Sequence, residues 1–151
     1  ELLVIVLGIL LVYCFLIGWH RASDNSMYPS IRDGDLVIYY RLDKKYKPQD
    51  LVVMKEDDKQ EIRRVIAVAG DKVDIQSGYV YIDGIPQRET GIYEETEQFK
   101  EGIKFPLVVP DGQVFVLADA RENSTDSRIY GCVPVEKTYG TVIAIVRRRE
   151  F

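Results

Sequence analysis

The 151-residue chain has a net charge of −4 with acidic and basic residues interspersed, so composition offers no basic face for nucleic acid. Its one histidine and two cysteines lack the Cys/His clusters of zinc sites, and we expect neither metal nor cofactor. Cys14 and Cys132 lie in such different predicted environments that the fold is expected to hold without a disulfide.

The chain starts with an apolar segment, Leu2 to Trp19, "LLVIVLGILLVYCFLIGW", which contains no charged residue. Eighteen helical residues at about 1.5 Å each would cover about 27 Å, close to the hydrocarbon core of a bilayer. His20 and Arg21 follow directly, which suits a retained anchor better than a cleaved signal or a buried core helix. We predict a transmembrane anchor in residues 1–20 and one further domain in residues 21–151.

Short runs rich in Val, Ile and Tyr then recur between Gly-containing turns, and each run predicts a β-strand. They are "DLVIYY" (35–40), "DLVVM" (50–54), "IRRVIAVA" (62–69), "KVDI" (72–75), "YVYI" (79–82), "VFVLA" (114–118) and "TVIAIVR" (141–147). Strands this dense, without long helical periods, indicate an antiparallel, mostly β domain. The charged stretch from Arg88 to Lys104 is weakly patterned, and we expect a mobile loop or small flap there.

Four motifs occur in one order along the chain: "SMYPS" after the anchor, "RDGD" soon after it, "RRVIAVAGD" about 35 residues on, and "ADARENSTDSRIYGCVP" near the C-terminus. Together they resemble the type I signal peptidases, membrane-anchored serine endopeptidases that remove signal peptides from exported proteins. The resemblance extends from the anchor to Pro134. It implies a single-pass cell-membrane protein whose antiparallel β domain lies on the extracytoplasmic face.

The resemblance assigns three catalytic positions. Ser26 falls at the nucleophile, whose backbone N–H also stabilises the oxyanion, and Ser124 falls at the serine that orients the general base. A serine hydroxyl reacts only when a base takes its proton, so the identity of that base decides activity. The family uses a lysine, and Arg63 stands at its position in this chain.

Arg63 is the main departure from the family pattern. A lysine in an apolar site can become a neutral base, whereas an arginine stays protonated and cannot accept the Ser26 proton. Unless another residue replaces the base, cleavage would fall by about 10³-fold or more. Lys55 and Lys59 could serve after a change of hairpin register, and His20 could serve from beside the anchor, but we consider all three weak alternatives.

Asp24 is a second departure, because the family has serine or glycine two residues before the nucleophile. A carboxylate facing a developing oxyanion would oppose it electrostatically. We therefore expect Asp24 to point away from the site or to pair with Arg63 or Arg21.

The resemblance also implies an extended signal peptide, bound along the sheet edge with small side chains in two shallow apolar pockets. Residues in matching segments that could line such pockets, or belong to the core, are Met27, Tyr28, Ile31, Leu36 and Val65. Residues expected to have structural roles, as a tight turn or as charge pairs that fix the last loop of the site, are Gly34, Asp35, Asp119, Arg121, Asp126 and Arg128.

Three functions remain open on the sequence. The first is a signal peptidase I-type serine endopeptidase with activity impaired by Arg63. The second is a catalytically degenerate relative that assists assembly of surface proteins or pili in Gram-positive bacteria. The third, a self-cleaving regulator of related fold, is disfavoured by the anchor. The expected partners are signal peptides or precursor proteins bound as strands, the lipid bilayer and, for the second function, the assembly machinery.

Overall fold

A computed structural model describes residues 1–147 of the chain, so the last four residues of the predicted domain lie outside the described part. Helix α1 runs from Leu2 to Leu16, and its apolar side chains are exposed. The predicted helix is wrong at its C-terminal end, because Ile17–Arg21 forms strand β1 of the main sheet. Within residues 1–147, no helix is both long and apolar enough to cross a membrane.

Gly18 explains why the apolar run changes from helix to strand before Trp19. In β1, Gly18 lies opposite Tyr39 of the neighbouring strand, and a Cβ at this position would come within 2.2 Å of the Tyr39 ring. The absence of a side chain lets the Tyr39 ring pack directly over the β1 backbone. The β domain therefore begins at Ile17, a few residues earlier than the sequence predicts.

Two antiparallel sheets form the domain, which confirms the predicted mostly β class. The seven-stranded sheet has the order β1-β2-β11-β3-β4-β9-β10, and the four-stranded sheet has the order β7-β6-β5-β8. The strands after β1 are β2 (Leu36–Tyr40), β3 (Leu51–Glu56), β4 (Lys59–Val68), β5 (Lys72–Gln76), β6 (Tyr79–Ile82), β7 (Ile85–Pro86), β8 (Leu107–Val108), β9 (Gln113–Leu117), β10 (Val133–Pro134) and β11 (Thr138–Val146).

Alternating residues on these strands fill the core, as expected for sheets with one buried face. On β2, Val37 and Tyr39 are buried while the residues between them are partly exposed. Met27 and Ile31, from the segment before β2, pack against Val37 and Val53 in the same cluster. The segment that contains Ser26 is thus attached to the core by its own apolar side chains.

The charged stretch 88–104 contains no helix or strand and crosses the smaller sheet. Thr96 donates its backbone N–H to Gly78 O over 2.9 Å, and Arg121 pairs with Glu89 over 2.5 Å. The stretch is therefore an ordered loop tied to the sheet and to the segment after β9. A short helix, α2 (Ser127–Tyr130), follows that segment.

Candidate active site

Ser26 lies at the rim of a cleft of about 530 Å³ between the segment after β1, strand β4 and the loop after β9. The residues that line it are Asp24, Asn25, Ser26, Tyr28, Arg32, Glu61, Arg63, Ala120, Asn123, Ser124 and Thr125. Tyr28 N donates to Asn25 O over 3.0 Å, closing a turn around Ser26. Ala120 N donates to Ser26 O over 2.9 Å, which ties that turn to the loop. The three residues assigned to catalysis therefore share one cleft.

Arg63 projects from β4 beneath the Ser26 side chain and is 2% exposed. Its Nη1 donates to Ser26 Oγ over 3.1 Å and to Ile62 O over 2.7 Å. Its Nε and Nη2 both donate to Thr125 O, at 3.0 and 2.9 Å, and Nη2 also donates to Glu61 Oε2 at 2.7 Å. Since a guanidinium has five N–H donors, each donor of Arg63 has an acceptor. The group that contacts the nucleophile is therefore a fixed cation.

Glu61 is the carboxylate that compensates the buried charge of Arg63. Burial raises the pKa of Glu61 above its usual value, and the adjacent Arg63 guanidinium offsets part of that rise. A buried cation without a partner would be costly, so Glu61 helps the cleft to accommodate an arginine.

Ser124 lies beside this network, but its contact differs from the one that the resemblance implies. Among the residues that the structure describes, Ser124 Oγ is buried without a hydrogen-bond partner, because Arg63 donates to the neighbouring Thr125 O instead. An unsatisfied buried hydroxyl is unfavourable and uncommon. Ser124 thus lies in the site without orienting the side chain at position 63.

Asp24 neither points away nor forms the predicted ion pairs. Its Oδ1 accepts a hydrogen bond from the backbone N–H of Ser26 over 2.9 Å. Within residues 1–147, the carboxylate paired with Arg63 is Glu61, and Arg21 donates to Gly34 O, so the predicted pairing of Asp24 with either arginine is wrong. A two-residue separation favours this side-chain-to-backbone bond, since aspartate readily accepts from the N–H two residues on.

The pKa of Asp24 reflects the same contacts. Partial burial alone would raise it, but hydrogen bonding from Ser26 and the charge of Arg63 outweigh burial and hold the pKa below its usual value. A carboxylate with a depressed pKa is a weak base, so Asp24 is poorly suited to take the Ser26 proton.

Of the alternative bases, the two lysines lie far along the β3–β4 hairpin, whereas His20 shares a small cavity with Ser26. Lys55 and Lys59 pair with Gln60 and Glu56 near the turn of the β3–β4 hairpin, and Lys59 is about 13 Å along the strand from Arg63. Lys55 forms an ion pair with Asp58 at 2.7 Å. His20 lines a small cavity of about 20 Å³ with Asp24 and Ser26. Burial lowers the pKa of His20, although a Gln60 hydrogen bond and the Asp24 charge oppose that shift.

An ion pair that the sequence did not assign joins the strand position next to Arg63 to the loop after β9. Arg64 Nε and Nη2 bind Asp119 Oδ1 and Oδ2 at 2.8 and 2.6 Å. Ser30 Oγ donates to Asp119 Oδ2 over 2.5 Å and accepts from Arg64 Nη2 over 3.0 Å. This bidentate arrangement joins β4, the loop after β9 and the Ser26 segment. The doubled arginine of "RRVIAVAGD" could have indicated this pair, because neighbouring side chains of a strand point to opposite faces and Arg63 and Arg64 must therefore have different partners.

Of the other charged residues predicted to pair, Asp126 and Arg128 contact each other, whereas Arg121 has other partners. Asp126 caps α2 by accepting from Arg128 N over 3.0 Å, and the Arg128 side chain binds the same carboxylate, as predicted. Arg121 does not pair with Asp119 or Asp126 but donates to Glu89 and Thr96 of the loop 88–104. All of these side chains except Glu89 are buried, so they fix the loop after β9.

Gly34 and Asp35 form the predicted tight turn. Gly34 has a φ of +86°, which favours glycine, and its N–H bonds to Ala22 O over 2.9 Å. Asp35 Oδ2 accepts from Arg32 N over 3.0 Å and lies 3.4 Å from Arg147 Nε.

Of the five residues that could line substrate pockets, one lines the cleft and most belong to the core. Tyr28 is half exposed and lines the cleft, with Arg32 stacked 5.6 Å from its ring centroid. Met27, Ile31 and Val65 are buried core residues, and Val65 is fully inaccessible in a separate cluster with Val52 and Met54. Leu36 is partly exposed on β2, outside the set that lines the cleft. Of the five, Tyr28 is placed to contact a ligand in this cleft.

Within residues 1–147, no group of three or more His, Cys, Asp or Glu residues could hold a metal ion. The cleft has instead the parts of a serine peptidase site: a serine presented from a turn, its backbone N–H, and a buried side chain at its hydroxyl. The fold and the cleft thus define a β protein of the serine-peptidase class.

Comparison with known proteins gives the family. A family model described as signal peptidase, peptidase S26, matches residues 1–147, and the chain belongs to this family. It is 31% identical over 154 residues to a probable signal peptidase I-1 of Synechocystis, covering 93% of this chain and 76% of the relative. It is 28% identical over 153 residues to signal peptidase I of Bacillus licheniformis, covering 93% and 82%.

The crystal structure of a signal peptidase I from Enterococcus faecalis superposes with a TM-score of 0.56 at 24% identity. The superposition covers 66% of this chain and 97% of that one, and it shows the shared fold.

Proposed function

We propose that this protein is a signal-peptidase-like factor that holds the signal-peptide region of exported precursors in the Ser26 cleft and cleaves it poorly or not at all. The observation that carries the proposal is the 3.1 Å hydrogen bond from Arg63 Nη1 to Ser26 Oγ. Peptide hydrolysis through Ser26 needs a neutral base to take the hydroxyl proton as the oxygen attacks. Arginine remains protonated in proteins, so this contact supplies a donor where an acceptor is needed.

Burial strengthens this argument. Since every N–H of Arg63 is already engaged and the side chain is 2% exposed, the guanidinium is not free to leave the nucleophile for another role. Moving it would break the ion pair with Glu61 and both hydrogen bonds to Thr125 O. The arrangement suits a stable, inactive site better than a resting state of an enzyme.

Peptide binding is supported by the open edge beside Ser26. Strand β9 pairs with β4 only from Arg64 onward, so in the described residues the stretch Lys59–Arg63 has a partner strand on one side, β3. An extended peptide can add to such an edge through main-chain hydrogen bonds. A peptide placed there would pass along Glu61 toward Ser26, so that its backbone would enter the cleft.

A role in assembling surface proteins or pili in Gram-positive bacteria is the second candidate. The same engagement of Ser26 by Arg63 favours it, because such a factor would hold a precursor without needing to cut it. In a Gram-positive host that lacks the protein, the Ser26→Ala variant should then restore surface assembly as fully as the unmodified chain. Failure of Ser26→Ala, with success of the unmodified chain, would contradict this role.

We further propose that α1 inserts into the cell membrane and keeps the β domain on its extracytoplasmic face. Its side chains carry no charge and are exposed, and Trp19, the first large aromatic after it, is 71% exposed. The test is flotation of the protein with lipid vesicles. Leu11→Lys should reduce the floating fraction, whereas Leu42→Lys, at a similarly exposed leucine of the β domain, should not. Equal flotation of the two variants would contradict the proposal.

Binding and cleavage of one peptide test the main proposal together. A fluorescent signal peptide with small residues before its cleavage site should bind saturably to the protein in detergent, with equal affinity for Ser26→Ala. Cleavage should not exceed that of Ser26→Ala. The matched substitutions Arg63→Lys, in the cleft, and Arg41→Lys, at an exposed arginine outside it, show whether any gain belongs to the site.

Absence of saturable binding would contradict the peptide-holding role. Robust cleavage that disappears in Ser26→Ala would contradict the inactive site.

A further inference from the structure

Asp24 accepts a hydrogen bond from the backbone N–H of Ser26, the group that would stabilise an oxyanion. Its Oδ1 accepts from Ser26 N over 2.9 Å, while Arg63 Nη1 donates to Ser26 Oγ over 3.1 Å. We propose that Asp24 is a positioning residue that withholds the Ser26 N–H from a peptide carbonyl, through a contact separate from that of Arg63. The inference builds on the proposed function, because it assumes that peptides enter this cleft.

The physical basis is competition for a single proton. A hydrogen bond to a carboxylate is roughly twice as strong as one to a neutral carbonyl. To bind a peptide carbonyl, the Ser26 N–H would therefore have to give up a strong acceptor for a weaker one. If the peptide carbonyl became an oxyanion, the nearby carboxylate would also repel the developing charge. Asp24 therefore opposes both the docking of a scissile carbonyl and its reaction.

The turn around Ser26 keeps the carboxylate in this position. Asn25, between the two residues, accepts from Asp33 N through Oδ1 over 3.0 Å and from Tyr28 N through its own carbonyl over 3.0 Å. Ser26 O is fixed by Ala120 N at 2.9 Å. Both sides of the Asp24–Ser26 contact are thus attached to other parts of the domain.

Electrostatics favours the same contact. The charge of Arg63 and the hydrogen bonding of Ser26 together keep the pKa of Asp24 below its usual value, despite the opposing effect of partial burial. The carboxylate is therefore charged at neutral pH and remains a strong acceptor. The charge of Arg63 thus favours the charged form of Asp24, so the two residues that contact Ser26 are also linked electrostatically.

One consequence is that replacing Arg63 alone is insufficient to restore cleavage. In Arg63→Lys, the lysine could provide a base, but the Ser26 N–H would still be bound to Asp24. Removing one oxyanion donor from a serine peptidase typically lowers kcat by about 10²- to 10³-fold. Adding Asp24→Ala to Arg63→Lys should release that donor and raise kcat by at least about 10-fold. KM should change little, because the hydrogen bond from the Ser26 N–H to the substrate oxygen strengthens mainly in the transition state.

The experiment compares Asp24→Ala and Asp24→Asn with Asp43→Ala, each alone and combined with Arg63→Lys. Asp43 is the matched control, since its Oδ1 accepts from Lys45 N over 3.2 Å with the same two-residue separation, outside the cleft. Asparagine keeps an acceptor oxygen without the charge, so Asp24→Asn separates occupation of the N–H from repulsion.

The first readout, amide hydrogen exchange of Ser26 by NMR, does not depend on activity. We expect about 10-fold faster exchange at Ser26 in Asp24→Ala, a smaller change in Asp24→Asn, and none at Ser26 in Asp43→Ala. Unchanged exchange at the buried strand residues Val53 and Val116 would show that the domain remains folded. Unchanged Ser26 exchange in Asp24→Ala would overturn the proposal.

The second readout is kcat and KM for the signal peptide in the Arg63→Lys background. A rise in kcat with Asp24→Ala, absent with Asp43→Ala, is the expected result. Equal kcat for Arg63→Lys with and without Asp24→Ala would overturn the inference. Failure of the proposed function would show itself differently, as cleavage by the unmodified chain that is lost in Ser26→Ala. The exchange measurement would still test the Asp24 contact in that case.

Discussion

Arg63 Nη1 donates a hydrogen bond to Ser26 Oγ over 3.1 Å, joining the middle of β4 to the turn that follows β1. The contact places a permanent cation where a serine peptidase requires a proton acceptor. Its surroundings are complete: each donor of the guanidinium has a partner, and Glu61 balances the charge. The cleft is thus built around an arginine whose own donors are all engaged.

The Arg64–Asp119 pair should contribute strongly to the stability of the domain. Asp119→Ala leaves Arg64 without its bidentate partner and removes the acceptor of Ser30, so the free energy of unfolding should fall by about 3–5 kcal/mol. Urea denaturation measures this. Asp58→Ala, at the exposed Lys55–Asp58 pair, is the control and should change the free energy of unfolding much less. Similar losses in both variants would contradict the assigned role.

The sequence predicts the sheet class and most long strands because alternation of apolar residues is a local signal. It does not reveal that Ile17–Arg21 leaves the helix, since that change depends on Gly18 meeting Tyr39, a residue 21 positions away. For the site, the family resemblance carried by the four motifs brought Ser26, Arg63 and Ser124 together, and these residues line one cleft. The partners of Asp24, Asp119 and Arg121 were not predictable, because they are set by register and loop packing.

Ser124 should be nearly dispensable while Arg63 is present. Its buried hydroxyl has no partner among the described residues, so Ser124→Ala removes a desolvated group and should leave the free energy of unfolding unchanged or raise it by up to about 1 kcal/mol. In Arg63→Lys, the shorter amine could bind this hydroxyl, and Ser124→Ala should then reduce cleavage. Urea denaturation and peptide cleavage measure the two effects. A loss of more than about 1 kcal/mol in the unmodified background would show that Ser124 has a stabilising contact.

The Asp24 contact should make stability depend on pH. Because the pKa of Asp24 is lower in the folded state than its usual value of 3.8, its contribution is present above that value and is lost as pH falls through the lower folded-state pKa. The stability difference between the unmodified chain and Asp24→Asn should therefore be largest near neutral pH and should shrink below about pH 4. Urea denaturation across this range measures it. A difference that stays constant with pH would contradict the assigned contact.

The most direct test of the central claim is single-turnover cleavage of a small-residue signal peptide, with protein in excess, by the unmodified chain and by Ser26→Ala. If Arg63 leaves Ser26 without a base, the two rates should agree within about 2-fold, since known deletions of a catalytic base cost about 10³-fold or more. A rate for the unmodified chain that exceeds Ser26→Ala by about 100-fold or more would show an activated serine and contradict the account.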